Sequence, residues 1–128
     1  MTTENLPNIK ILALLHEPTT NSIFPRVLCI ENTLTGLREI IDCRCVACTE
    51  IEVTGKKFDV WSDDEALIKE NPVPNLYLSD ELILFGNLVF AKHDEEGEML
   101  GLTLSDSRFL KNTLGGKNYG TIFQTDSR

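Results

Sequence analysis

Positive charge is scarce in this chain. Twelve Lys and Arg stand against 20 Asp and Glu, a net charge of −8 over 128 residues. A protein that coats nucleic acid or lies on an anionic membrane needs a basic surface, so neither class is expected. Long apolar runs are missing as well. The densest, Ile9 to Leu15, is interrupted by Lys10, and Leu82 to Ala91 is broken by Gly86 and Asn87; both fall short of the ~20 residues of a membrane span. Met1-Thr2-Thr3-Glu4-Asn5 brings no basic start of the kind that opens a secretion signal. The expected location is cytoplasmic, where Cys29, Cys43, Cys45 and Cys48 would be free thiols. A Walker loop, a dinucleotide glycine fingerprint and a nucleophile elbow are also missing, and no nucleophile is arranged around His16 or His93. The chain is therefore not expected to be an enzyme or to carry a cofactor.

What remains is an ordinary globular composition, 41% hydrophobic and 25% charged, in a chain long enough for one sound core without metals or disulfides. Ile9 to Leu15 is dense in branched residues and predicts a central strand; Arg26 to Ile30 predicts a second, with Pro25 at its mouth. Asn32 or Thr33 can cap a helix whose Leu34, Leu37, Ile40 and Ile41 share a face. Arg44 to Val53 alternates with Ile51 and Val53 on the buried parity, and Gly55-Lys56 turns it into a hairpin partner, Phe58 to Trp61. Ser62 is placed to cap a second short helix through Lys69, ended at Asn71-Pro72. Leu76 to Leu78 reads as extended, Leu82 to Phe85 as helix or strand, Asn87 to Lys92 as a strand, and Thr103 or Ser105 as the cap of a last helix ended by Gly115-Gly116. The expectation is a single α+β domain, residues 1–114, with a mixed or mostly antiparallel sheet and about three short helices. Its core should include Ile11, Leu12, Leu14, Leu28, Ile30, Leu37, Ile40, Ile51, Val53, Leu88 and Phe90. Residues 115–128 form a Gly-bearing C-terminal tail expected to dock on a neighbouring subunit of a homo-oligomer.

Charge is unevenly spread. Residues 58–98 hold 11 acids and only Lys69 and Lys92, whereas residues 105–128 net +2. Within the tail, Gly115-Gly116-Lys117-Asn118-Tyr119-Gly120 has binding chemistry. Glycines let backbone N–H groups point at an anion, Lys117 supplies charge, Asn118 a donor and an acceptor, and Tyr119 a face for stacking on a base. Asn75, after Pro74, is a turn residue or a base-edge contact. The expected ligand-binding residues are thus Lys117, Asn118, Tyr119 and Asn75. Cys43-x-Cys45-x-x-Cys48 with Cys29 upstream supplies enough sulfur for zinc, but on a strand Cys48 faces away from Cys43 and Cys45. Buried small apolar side chains are the expected role, and no metal site is expected. His93 stands beside the acidic turn Asp94-Glu95-Glu96-Gly97-Glu98, whose charge would favour the imidazolium.

Ile30-Glu31-Asn32-Thr33-Leu34, the acidic strand Thr49-Glu50-Ile51-Glu52-Val53, Asn71-Pro72-Val73-Pro74-Asn75-Leu76, Phe85-Gly86-Asn87-Leu88-Val89-Phe90 and Gly101-Leu102-Thr103 follow one another in a telling order. Over roughly residues 9–112 the chain resembles the phage and mobile-element family catalogued as domain of unknown function 3846. It departs from that pattern at Asp42-Cys43-Arg44-Cys45, where the family usually has a glycine pair. The resemblance implies a phage-encoded accessory protein, of a sort that often opposes host defence, working in the host cell cytoplasm. Joined to the cationic tail, it leads to the expectation of a sponge that sequesters a small anionic nucleotide immune signal without turnover. The alternative is a protein-binding inhibitor, or acidic DNA mimic, blocking a host nuclease or restriction system.

Overall fold

The apolar run after Asn8 forms β1 (Asn8–Glu17). Ile11, Leu12, Ala13 and Leu14 are all fully buried, which requires cover on both faces of the strand, because successive side chains point opposite ways. The computed structural model describes residues 8–20, 22–69, 72–77 and 83–114. β1 turns back at Pro18 to Thr20 into β2 (Ser22–Glu31), paired along its whole length. The strand is longer than the sequence pattern suggests and contains Pro25 rather than starting after it. It lies at a sheet edge, where a residue without an N–H is tolerated.

Thr33 caps α1 (Leu34–Ile41), its Oγ1 accepting the Gly36 N–H at 3.0 Å. The helix ends on Asp42, which takes the left-handed conformation at φ 66 while its N–H reaches the Arg38 carbonyl. A glycine is usual there, but Asp is among the few other residues that adopt this geometry routinely. β3 (Val46–Val53) and β4 (Lys56–Asp63) form a hairpin. Its two-residue loop, Thr54 and Gly55, has positive φ at both positions, as a type I′ turn requires.

The second helix expected from Ser62 is absent. Ser62 and Asp63 continue β4, Asp63 pairing with Val46, and only Ala66–Ile68 forms a single 3-10 turn. The described chain therefore has two α-helices, not about three. β5 (Pro74–Tyr77) and β6 (Ile83–Phe85) make a separate two-stranded sheet. β7 (Leu88–His93) returns to the main sheet, β8 (Met99–Leu100) pairs with its end, and α2 (Leu104–Leu114) follows. The main sheet runs β2-β1-β7-β4-β3, and every described pairing is antiparallel.

Two apolar clusters lie on its two faces. Leu12, Leu14, Val60, Leu88 and Phe90 pack with Leu76 and Leu84 of the small hairpin and with Leu110 of α2. Ile11, Ala13, Val89 and Ala91 pack under Leu37 and Ile41 of α1. The sheet is thus a middle layer, the α+β arrangement expected from the element order. Of the expected core, Leu28 and Ile40 are half-buried at the margin of the α1 cluster and the rest are buried.

The cysteines depart from expectation. Cys29, Cys45 and Cys48 are exposed and Cys43 is half-buried. Residues 43–45 connect α1 to β3 rather than opening the strand, so strand alternation does not bury them. Cys29 sits on β2 and Cys48 on β3, opposite edges of the main sheet. Four strand spacings, about 19 Å, separate those edges, which rules out one centre using Cys29 with Cys48. Among the described residues, no helix is long and apolar enough to cross a membrane.

Candidate functional site

Of the four expected ligand contacts, Lys117, Asn118 and Tyr119 lie outside the described residues. Asn75 is fully buried. Its amide Nδ2 donates to the Gly86 carbonyl at 2.7 Å and to the Leu14 carbonyl at 3.2 Å. It stitches the β5–β6 hairpin to β1, and among the described residues its Oδ1 has no hydrogen-bond partner. Gly86 has φ +83 and donates its N–H to the Val73 carbonyl at 2.8 Å. Asn75 therefore holds the backbone of the bend beside it rather than presenting a side chain to solvent.

That bend forms one wall of a cleft of about 330 Å³ whose lining includes His16, Asp63, Lys69, Val73, Gly86 and Asn87. The Asn87 side-chain Oδ1 accepts the His16 backbone N–H at 2.8 Å, and its Nδ2 reaches the Ile40 carbonyl at 3.5 Å, tying the cleft to β1 and α1. Lys69 extends to Asp63 at 2.6 Å and to the Asp42 carbonyl at 3.4 Å. The hydrogen bond to Asp63 raises the Lys69 ammonium above its ordinary pKa. Lys69 also lines a neighbouring depression with Arg38 and Arg44. Arg44 grips Glu65 there through two hydrogen bonds, at 2.7 and 3.2 Å. Sequence patterning does not single out Lys69 or Asn87, because their convergence depends on contacts far apart in the chain.

A second polar cluster lies on the α1 side of the sheet. Glu50 of β3 pairs in register with Asp59 of β4, and Asp59 with Ala91 of β7. His93, two residues further along β7, projects to the same face. Its Nδ1 lies 2.8 Å from Asp59 Oδ2, and the Asp59 side chain is only 6% exposed. The hydrogen bond that the imidazolium donates to Asp59, with that carboxylate's charge, raises the His93 pKa. The dominant acid is thus across the sheet, not in the Asp94–Glu98 turn nearest in sequence. Cys48, two residues before Glu50, is exposed at its edge strand, but the sheet shields its sulfur from part of the water, which pushes the thiol up to about 11, with Asp59 and Glu50 adding to the shift. It is a protonated thiol at neutral pH rather than a nucleophile.

On the opposite face, Lys92 reaches Asp106 at 3.2 Å. Asp106 accepts the Thr103 N–H at 3.0 Å, while Thr103 Oγ1 accepts the Asp106 N–H at 3.0 Å, a reciprocal cap at the start of α2. Burial pushes the Asp106 carboxyl up, but the hydrogen bonds from Thr103 and Lys92 outweigh it and hold the pKa below its ordinary value.

The family model described as a domain of unknown function (DUF3846) matches residues 9–114, and the chain belongs to that family. No curated protein and no solved structure matches the chain.

Proposed function

We propose that this DUF3846 member captures a small anionic nucleotide without turnover. In this reading it is a phage-encoded counter-defence sponge acting in the cytoplasm of a host cell. The observation that carries the reading is the cleft beside Gly86 and Asn87. Its volume of about 330 Å³ is in the range of small-molecule sites. Its lining offers a nucleotide Pro72 and Val73 as apolar surface for a base face, the remaining N–H of the Asn87 side-chain amide for a base edge, and Lys69, which a phosphate would have to share with Asp63, as its cation. The nearby acids are engaged with cations, Asp63 with Lys69 and Glu65 with Arg44, which favours holding a ligand over acid–base chemistry on it. Lys117, Asn118 and Tyr119, brought by a neighbouring subunit of a homo-oligomer, would supply the second half of the site. The acidic-mimic alternative is less well supported. Asp59 and Asp63 are only 4% and 8% exposed, so two acids of the run are withdrawn from any surface array.

The test is incubation of the protein with cyclic dinucleotides and cyclic trinucleotides, removal of free ligand, heating, and chromatography of what is released. Intact nucleotide in stoichiometric yield, lost in Asn87→Ala, is the expected result. Release of an altered nucleotide would make the protein an enzyme, and failure to retain any would return the question to a protein partner; either outcome overturns the proposal.

A further inference from the structure

We propose that Glu50, Asp59 and His93 form a site for one divalent first-row transition-metal ion. The three residues come from three adjacent strands, β3, β4 and β7, so the backbone that carries them is fixed by the sheet ladder rather than by a loop. One ligand atom from each lies within 4.8 Å of the others. The 2.8 Å hydrogen bond between His93 Nδ1 and Asp59 Oδ2 already sets these atoms close to the separation of two neighbouring donors on an octahedral ion, about 3.0 Å for bonds of roughly 2.1 Å, and an ion binds there by displacing the Nδ1 proton to water. Asp59 is held by burial, while Glu50 and His93 are exposed, so an ion can enter from solvent and keep water on its open positions.

The donor set also selects the ion. Two carboxylates balance a divalent charge, and an imidazole favours manganese, iron, cobalt or zinc over magnesium and calcium. The same three residues line, with Lys57, Phe58 and Lys92, a depression of about 230 Å³; the Lys92 ammonium is engaged by Asp106, and the space leaves room for the ion and its water. The site lies apart from the Asn87 cleft and does not depend on nucleotide capture.

The experiment is titration of the full chain with Mn²⁺, an ion with little affinity for thiols, followed through the electron paramagnetic resonance signal of free aqueous Mn²⁺. One equivalent should bind and should survive a large excess of Mg²⁺. Glu50→Gln and His93→Ala change exposed positions, and each should weaken binding by at least about tenfold; the circular dichroism melt should be unchanged in Glu50→Gln, and His93→Ala, which leaves the buried Asp59 without its partner, should keep the folded spectrum with a lowered melt. Displacement by Mg²⁺ would show only the attraction of an acidic surface, and undiminished binding in His93→Ala would remove the imidazole from the site; either result overturns the proposal, as does the lack of a saturable site in the wild type.

Discussion

Asn75 illustrates how much a single side chain can be asked to do in this fold. With no exposure, its amide serves two carbonyls, those of Leu14 and Gly86. Asn75→Ala leaves both without that donor, a loss of about 1–3 kcal/mol, and the urea midpoint should fall accordingly. If the variant were as stable as the wild type yet lost a ligand, Asn75 would be a contact after all. Asp106 gives a prediction of a different kind. Its pKa is depressed in the folded protein, so it contributes stability that is present above its unfolded pKa and lost as pH falls through the lower folded value. Asp106→Asn should therefore flatten the acid limb of the stability–pH curve and lower stability at neutral pH. A variant whose urea midpoints track the wild type through the acid range would show that the cap and Lys92 hold no differential charge.

At the scale of elements, α1 is set by a glycine that propensity alone would disfavour. Gly36 is buried, and a Cβ placed on it would lie 2.3 Å from the Glu31 carbonyl oxygen. Alanine is the better helix former by about 1 kcal/mol, but the clash is with backbone, which cannot swing aside. Gly36→Ala should be destabilising by roughly 1–3 kcal/mol, whereas Thr35→Ala, at an exposed position beside it, should be close to neutral; a stabilised Gly36→Ala would mean that the helix can shift off β2. Most strands and the two true helices are legible in the sequence because their signals are local: alternation in β3, a glycine turn that the pattern places one residue late, at Gly55-Lys56 where the structure turns at Thr54-Gly55, a hydroxyl before α1. β6 is not, since Leu82 to Phe85 fits helix or strand equally, and β2 starts four residues before the Arg26 that the pattern picks out. The helix expected after Ser62 failed because Asp63 has a cross-strand neighbour in Val46 and an ion pair to Lys69, neither of which is visible in a local window. Glu50 and Asp59 escape notice, and His93 is read only against the turn next to it, for the same reason. The register of three strands brings them together, and sequence spacing gives no hint of it.

For the whole molecule, the question is how an acidic chain would hold an anion. Phosphate is repelled by a net charge of −8 unless positive groups converge locally. Residues 105–128 carry the chain's cationic excess, and Ile122 and Phe123 stand together within them. These two side chains would contribute roughly 2–5 kcal/mol if buried on a neighbouring subunit, enough to offset much of the ordering cost of a short glycine-bearing segment. Assembly and capture are then linked but separable. Truncation after Leu114 should reduce the oligomer to a monomer in light scattering and abolish nucleotide retention together. Lys117→Ala should weaken retention while leaving the assembled mass unchanged, because it removes charge and not the apolar anchor. Salt should weaken capture more than assembly, since screening acts on the phosphate contact and little on burial. A truncated chain that kept both its mass and its ligand would confine the whole binding function to the cleft between α1 and the β5–β6 hairpin, with Lys69 as its cation.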